Sequence, residues 1–403
     1  MIHLRFFQLA LGVASKPIIS DYITVMNISI IFNLFLLLMA AFYLIVHFGL
    51  IKGIGRLDSS RNNEHPFVSI IVAARNEEKN IGQLLQCLSH QTYSNCEIII
   101  VNDRSTDKTT QLIADFQKNY SNIRRIDITS LQDDMPAKKN ALRAGIEASK
   151  GEILCFTDAD CFPPSKWIEE LVNSFKPKVG LVAGYSPYQI SDYSTFKVGF
   201  FNKLFFRFIA YEEFRAAIWS AGSIGWNISW LCTGRNLAYR RKVYDELNGF
   251  EKIKMSISGD DDLFLQLVRR RTAWKINYVK TRESFVPTAP PINLWSFIEQ
   301  RKRHFSAAKF FTLPMMLFFF FYHFSNLLLL ISPFLFLLDI LALPVAIAAF
   351  FLKLLSDIVL FKYSNRTFNA SNFRYSFILM EVLYIIYNSI IGPLGIFRKF
   401  AWK

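Results

Sequence analysis

Ile153-Leu154-Cys155-Phe156-Thr157-Asp158-Ala159-Asp160 is the stretch on which the reading of this chain turns. An apolar run of strand type stops abruptly at two carboxylates one residue apart. At a strand end, side chains at i and i+2 point the same way, so Asp158 and Asp160 can converge on one hard cation while Ala159 leaves room beside them. A solvated turn after a buried strand would read the same at this length, so the surroundings must decide.

Outward from it the periodicity alternates. Phe67 to Ala74 reads as strand, Glu77 to Leu88 as helix, Cys96 to Val101 as strand and Asp107 to Tyr120 as helix; Ile123 to Ile128, Ala137 to Ser149 and Ile153 to Thr157 continue in the same order. Such repeats predict an α/β domain with a mostly parallel, doubly wound sheet, in which ligands gather at the carboxyl ends of the strands. Arg75-Asn76-Glu77 follows the first strand, Asn102 to Asp107 the second and Asp158 to Asp160 the fourth. Polar groups from distant positions thus collect on one rim. Ser105 or Asp107 also suits a helix cap, which leaves Asp103 available. Lys138 and Lys139 open a helix, where amides and an ammonium both suit phosphate oxygens, although ordinary surface lysines look alike. No Gly-x-x-x-x-Gly-Lys or Gly-x-Gly-x-x-Gly follows the first strand, so phosphate-loop and dinucleotide readings lose their support and a nucleotide held through a metal remains.

Asp260-Asp261-Asp262 forms a second acidic cluster, in which at least one carboxylate must be paired, solvated or shifted. A plain helix start is the alternative, since Leu263 to Arg271 reads as helix. Gln300, Arg303 and His304 share a helical face, while Arg301, Lys302 and Arg303 also suit a basic interfacial helix. Phe201, Leu204, Phe205 and Phe208 recur at helical spacing with Lys203 and Arg207 on another face, as in a helix lying among headgroups or a core helix with a solvated edge. Trp219, Trp226 and Trp230 suit the same interface.

The flanks are of membrane type. Ile30 to Ile51 carries no Asp, Glu, Lys or Arg and exceeds the roughly 20 apolar residues a span needs. Asp21 precedes this run while Lys52, Arg56 and Arg61 follow it, so the positive-inside rule puts residues 66 onward in the cytoplasm. Met1 to Ser15 has a faint signal-peptide pattern interrupted by Gln8; an uncleaved signal anchor is expected, with Met26 as another possible start. From Phe311 to Leu360 only Asp339, Lys353 and Asp357 interrupt two spans' worth of apolar chain, with Pro333 and Pro344 near the turn, and Ser376 to Ile396 gives a third helix containing Glu381 and Asn388. Topology conflicts there: Lys362, Arg366 and Arg374 ask for a cytoplasmic loop, Arg398, Lys399 and Lys403 for a cytoplasmic end, and one span lies between. A re-entrant last segment or one failure of the rule would reconcile them. The net charge of +14 fits an anionic membrane surface, and no dense Arg and Lys stripe argues for nucleic acid. Five cysteines without a CxxC pair suggest neither a zinc site nor a disulfide framework.

Taken together, Phe67 to Glu77, Ile100 to Asp107, Lys138 to Leu142, Asp158-Ala159-Asp160, Gly234 to Arg240, Asn248 to Phe250, Gly259 to Leu263 and Gln300 to His304 resemble the family 2 glycosyltransferases of GT-A fold, over about residues 66 to 305. The resemblance implies a nucleotide-sugar donor whose base and ribose meet Ala73, Arg75 and Asp103, with Glu77 nearby and Lys138 near the diphosphate. It implies Asp158 facing the ribose or sugar and Asp160 holding Mg²⁺ or Mn²⁺. It implies inversion by a single displacement, with Asp261 as base and Asp260 as second choice, and Gln300 and Arg303 facing the diphosphate. His304 stands where the family usually has Trp, which weakens any argument for a polymer channel.

The expected protein is an inner-membrane glycosyltransferase acting on a lipid or glycan acceptor at the cytoplasmic face. A processive polysaccharide synthase and a catalytically silent nucleotide-sugar-binding membrane protein are the alternatives. Its expected parts are an anchor (1–51), a linker (52–65), a GT-A domain (66–285), an amphipathic interface helix (286–310) and a membrane region of about three helices (311–403).

Overall fold

A computed structural model describes residues 16–62, 64–130, 135–190, 199–338, 341–370 and 373–397. Met1 to Ser15, Asp339, Arg398, Lys399 and Lys403 lie outside them, and so do the expectations attached to them. The chain divides into two compact units, residues 1–49 with 312–363 and residues 50–311 with 364–403.

The larger unit is built on a seven-stranded sheet in the order β3-β2-β1-β4-β6-β5-β7. Its strands are β1 (Val68–Ala74), β2 (Cys96–Asp103), β3 (Ile123–Ile128), β4 (Ile153–Phe156), β5 (Val179–Gly184), β6 (Leu237–Arg240) and β7 (Lys275–Val279). Only β6 runs against its neighbours β4 and β5. This is the α/β GT-A architecture, mostly parallel, with its alternating first half as the periodicity predicts. Helices α2 (Ile81–Ser89), α3 (Thr109–Asn119), α4 (Ala137–Ala148) and α5 (Trp167–Asn173) follow β1 to β4 in order. The strands are Val- and Ile-rich because both faces are covered: Val68, Ile70, Ile98, Ile100 and Ile153 are fully buried. All the polar rim segments start where these strands end.

Beyond the sheet core come α6 (Phe200–Gly225), α7 (Arg241–Glu246), α8 (Asp262–Arg271) and α9 (Leu294–Phe305). The sequence left α6 open between a headgroup helix and a core helix, and burial divides it. Phe200, Phe201, Lys203 and Arg207 are exposed, whereas most of Phe206 to Ile224 is buried, including Glu212, Glu213 and Arg215. Trp219, expected at an interface, is buried beside Trp230 instead.

The smaller unit holds most of α1 (Lys16–Arg56), all of α10 (Leu313–Leu335) and most of α11 (Leu343–Phe368). Its interior carries a polar cluster. Tyr43 donates to Asp357 Oδ1 at 2.6 Å, Lys353 Nζ donates to Asp357 Oδ2 at 2.5 Å, and His47 meets Ser356 at 2.9 Å and Tyr322 at 3.1 Å. Lys353 and Asp357, which interrupt the apolar sequence, therefore answer each other one helical turn apart. Among the described residues four helices are long and apolar enough to cross a membrane: residues 27–56, α10, α11 and residues 377–394 of α12 (Phe377–Phe397).

Candidate active site

The rim at the carboxyl ends of β1, β2 and β4 is fixed by its own backbone. Asn76 and Arg104 both have φ of 55°, which directs the chain out of β1 and β2. Asn76 Oδ1 accepts from Thr106 N at 2.8 Å, and Ser105 Oγ accepts from Asn76 N at 3.0 Å. Asp107 accepts from Thr109 N and Glu78 N, each at 3.0 Å, so it serves the helix start as its sequence position suggests. Asp103, buried at the end of β2, is gripped at both oxygens by Arg104, at 2.7 and 3.0 Å. Ala73 and Arg75 lie half-buried on the same rim, and Arg75 Nε has no hydrogen-bond partner among the described residues.

The two acidic clusters meet at one lysine. Lys138, in the first turn of α4, stands 3.1 Å from Asp158 Oδ1 and 3.4 Å from Asp260 Oδ2. Burial works against its charge, but Asp158, Asp260 and Asp261 outweigh that and raise its pKa. Burial likewise pushes Asp158 up, yet Lys138 and Arg235, with Arg303 behind them, hold it below its ordinary value. For Asp160 burial is joined by repulsion from Asp158 and Glu77, and its pKa rises to about 6. Asp158, Asp260, Lys138, Thr157 and Gly234 line one small cleft.

Lys139 faces the other way. Fully buried, its ammonium donates to the carbonyls of Ile253 at 3.1 Å, Ser258 at 3.0 Å and Ser256. Burial pulls its pKa down to about 8, against Asp260 and Asp261. It thus ties α4 to the loop entering Gly259, whose φ of +85° disfavours a side chain and where an added Cβ would meet Leu263 Cγ at 2.6 Å.

Within that loop the three aspartates have different duties. Asp261 caps α8, one oxygen accepting from Asp262 N at 2.7 Å and the other from Gly234 N at 2.9 Å. Asp262 accepts from Cys232 N at 2.7 Å. Burial, with repulsion inside the cluster, raises the pKa of both. Asp260 is the one whose carboxylate is directed at Lys138 and the cleft.

Behind the cleft lies a buried charge network that the sequence did not single out. Glu213 of α6 accepts from Arg235 at 2.8 Å and from Arg301 at 3.0 Å; Glu212 pairs with Arg301 at 2.6 Å. Tyr188 Oη accepts from Arg301 at 3.2 Å and stands 3.5 Å from Gln300 Oε1. Arg301, which could have belonged to a basic surface helix, is therefore an interior residue. Burial lowers the pKa of His304 far below the usual histidine value, and Arg303, Arg301, Arg235 and Lys138 add to the effect. His304 is neutral at pH 7, in a region of converging cations suited to phosphate oxygens. The Gly234-Arg235-Asn236 motif was the only sequence signal for Arg235.

Metal binding fits this rim in part. Among the described residues no group of three or more His, Cys, Asp or Glu side chains could hold an ion by itself. At Asp160 burial and repulsion from Asp158 and Glu77 outweigh the attraction of Arg235, and Asp158 and Asp160 supply hard oxygens. Mg²⁺ and similar ions are commonly held by one or two carboxylates together with substrate phosphates.

At the carboxyl rim of this sheet two acidic clusters thus gather around one lysine. Residues 69–247 match the family described as Glycosyl transferase family 2. Similar curated proteins include Glycosyltransferase AglE of Haloferax volcanii, 35% identical over 122 residues, 30% of this chain and 39% of that protein. A beta-monoglucosyldiacylglycerol synthase of Nostoc is 29% identical over 244 residues, 59% of this chain and 48% of that protein. The chain thus spans about half or less of these relatives' lengths. Among solved structures, a mannosyltransferase from Pyrobaculum calidifontis in complex with GDP-Man and Mn²⁺ is 18% identical, with a TM-score of 0.49, covering 88% of this chain and 99% of that one.

Proposed function

We propose that the protein is a membrane-bound inverting glycosyltransferase that moves a sugar from a nucleotide donor to a lipid or glycan hydroxyl at the cytoplasmic face of the inner membrane. The observation that carries this reading is Lys138 bridging Asp158 and Asp260, which brings a donor-type and a base-type carboxylate to one cleft. In the reaction the acceptor oxygen bonds to the anomeric carbon as the carbon's bond to phosphate oxygen breaks. The nucleoside diphosphate leaves with that electron pair. Asp260 takes the acceptor proton, because Asp261 spends both oxygens on backbone amides. Lys138, Arg235 and Arg303 surround the departing diphosphate with charge, and Gln300 and neutral His304 supply polar contacts beside them. Arg75 and Asp103 hold the base and ribose, with Ala73 and Glu77 along the same wall. Asp160, with Asp158, would hold Mg²⁺ or Mn²⁺, which when bound neutralises diphosphate charge.

The test uses the purified full-length chain in detergent, incubated with a panel of UDP- and GDP-sugars, an acceptor mixture and Mn²⁺ or Mg²⁺. Donor-dependent release of nucleoside diphosphate is expected with at least one sugar. A donor that raises thermal stability by mass action, yet is never turned over, would mark a silent binder and end this reading.

A further inference from the structure

We infer that α12, although long and apolar enough to cross a bilayer, instead lies in the cytoplasmic leaflet, with one face docked on the glycosyltransferase domain and the other in lipid. This rests on the cytoplasmic reading of that domain proposed above.

The first argument is what the helix packs against. Its 21 residues would reach about 30 Å, enough for a span. From Phe377 to Tyr387, however, one face is occupied by α6 and α9. Glu381 is buried, accepts a hydrogen bond from Tyr211 and lies 3.8 Å from Arg215. Tyr384 stacks under the Arg215 guanidinium at 5.1 Å. Tyr387 meets Phe208 at 5.4 Å and Phe297 at 5.7 Å. Helix α6 also carries Lys203, Arg207, Glu212 and Glu213, and α9 carries Arg301 and Arg303, so neither belongs in hydrocarbon. Beyond this docked segment the uncharged run goes only from Asn388 to Phe397, about 15 Å as helix, before Arg398 and Lys399 in the sequence.

The second argument is charge. Lys362, Arg366 and Arg374 before α12 and Arg398, Lys399 and Lys403 after it all ask for the cytoplasm. A crossing α12 violates the rule at one end; an in-plane α12 satisfies it at both. Residues 27–56, α10 and α11 then make an odd number of crossings, from an external amino end to a cytoplasmic carboxyl end.

The third argument selects the occupant of the open face. Ile378, Leu379, Ile386, Ile390 and Leu394 are all exposed on α12, and the packed face does not cover them. An apolar stripe on one side, a charged domain on the other and exposed Arg374 at the entrance make the pattern of a helix seated at the hydrocarbon boundary of an anionic leaflet. The occupant is bilayer lipid.

Single cysteines provide the test: Lys79→Cys on the catalytic domain, Tyr375→Cys before α12 and a cysteine appended after Lys403. Each is labelled by a membrane-impermeant maleimide in intact cells and in inside-out vesicles, with the unmodified chain as blank. All three are expected to react only in inside-out vesicles. If the appended cysteine alone reacts from outside, α12 crosses and the inference falls while the function reading stands. If all three react from outside, α12 still does not cross, but the cytoplasmic catalytic reading is lost and the leaflet assignment with it. Nitroxides placed at Ile378, Ile386, Ile390 and Leu394 by cysteine substitution are then read by power saturation in vesicles of anionic and zwitterionic lipid. Similar shallow depths at all four sites are expected; a depth maximum mid-helix, or aqueous values throughout as under a protein partner or a second copy, overturns the inference.

Discussion

Asp260 and Asp261 differ by one position and by what their oxygens can still do. Asp261 lends one oxygen to Asp262 N and the other to Gly234 N, whereas Asp260 looks into the cleft beside Lys138. Asp260→Asn is therefore expected to leave donor affinity nearly unchanged and to lower transfer by about 10²-fold or more, as removal of a general base does. Asp261→Asn should act chiefly on stability, by about 0.5–2 kcal/mol for a weakened cap. Steady-state kinetics and thermal unfolding of both variants check this, and a silent Asp261→Asn with an active Asp260→Asn would reverse the assignment. The family resemblance put Asp261 first as base and Asp260 second; the order is reversed in the reading proposed here because capping depends on which way each side chain turns as α8 begins, which the sequence does not give. Asp158 and Asp160 were legible only as a pair: β4 ends at Phe156 and Asp160 sits in the turn beyond it, so strand periodicity does not set their direction, although Asp158 lies near enough to repel Asp160. With the metal held at Asp160 as proposed, a proton would compete with it for that carboxylate, whose pKa burial and Asp158 push up to about 6. Below that pH the carboxyl is increasingly protonated, so Mn²⁺-dependent donor binding should weaken by up to about tenfold per pH unit. Asp160→Asn should remove the metal dependence itself, which a donor titration with and without chelator measures.

At the scale of elements, what positions the site is how α4, α6 and α9 are tied to the sheet. The alternation of strands and helices was legible from Phe67 to Thr157, because β1, β2 and β4 are largely apolar, buried runs and the helices between them are periodic. The helices after the sheet were less so. In α6 the apolar residues surround the helix rather than forming a stripe, so periodicity could not separate a core element from an interfacial one. Glu212, Glu213 and Arg301 are likewise charged in sequence and buried in space, since each has a partner far along the chain. Lys139 is the clearest case of an element held by one side chain: its ammonium serves three carbonyls just before the acidic cluster. Lys139→Met keeps the length and removes the donors, leaving each carbonyl unpaired at roughly 1–3 kcal/mol apiece. The expected result is a lower midpoint of thermal unfolding and a fall in kcat larger than the change in donor affinity, because the loop carrying Asp260 loses its anchor. A variant equal to the parent in both would show that the loop is held by other means.

The whole molecule consists of two units with different interiors, and the smaller one offers a test that does not touch the chemistry. Apolar runs alone revealed its three helices; Lys353 and Asp357 pair one turn apart within α11, but the contacts of Asp357 with Tyr43 and His47 were hidden because those two partners lie in another helix. A buried charge without its partner is costly, so Asp357→Leu and Lys353→Leu should each destabilise the protein by roughly 3–5 kcal/mol. The double variant removes both charges together and should lose much less than the sum, since an apolar pair of similar volume often replaces a buried ion pair at little cost. Unfolding in detergent, followed by a probe in the smaller unit, measures the cycle. Turnover per folded molecule should stay near the parent value, because the acidic clusters and Lys138 all belong to the larger unit. If the two single losses simply add, Lys353 and Asp357 are not coupled. If turnover collapses while the fold survives, the smaller unit takes part in the reaction and is more than an anchor.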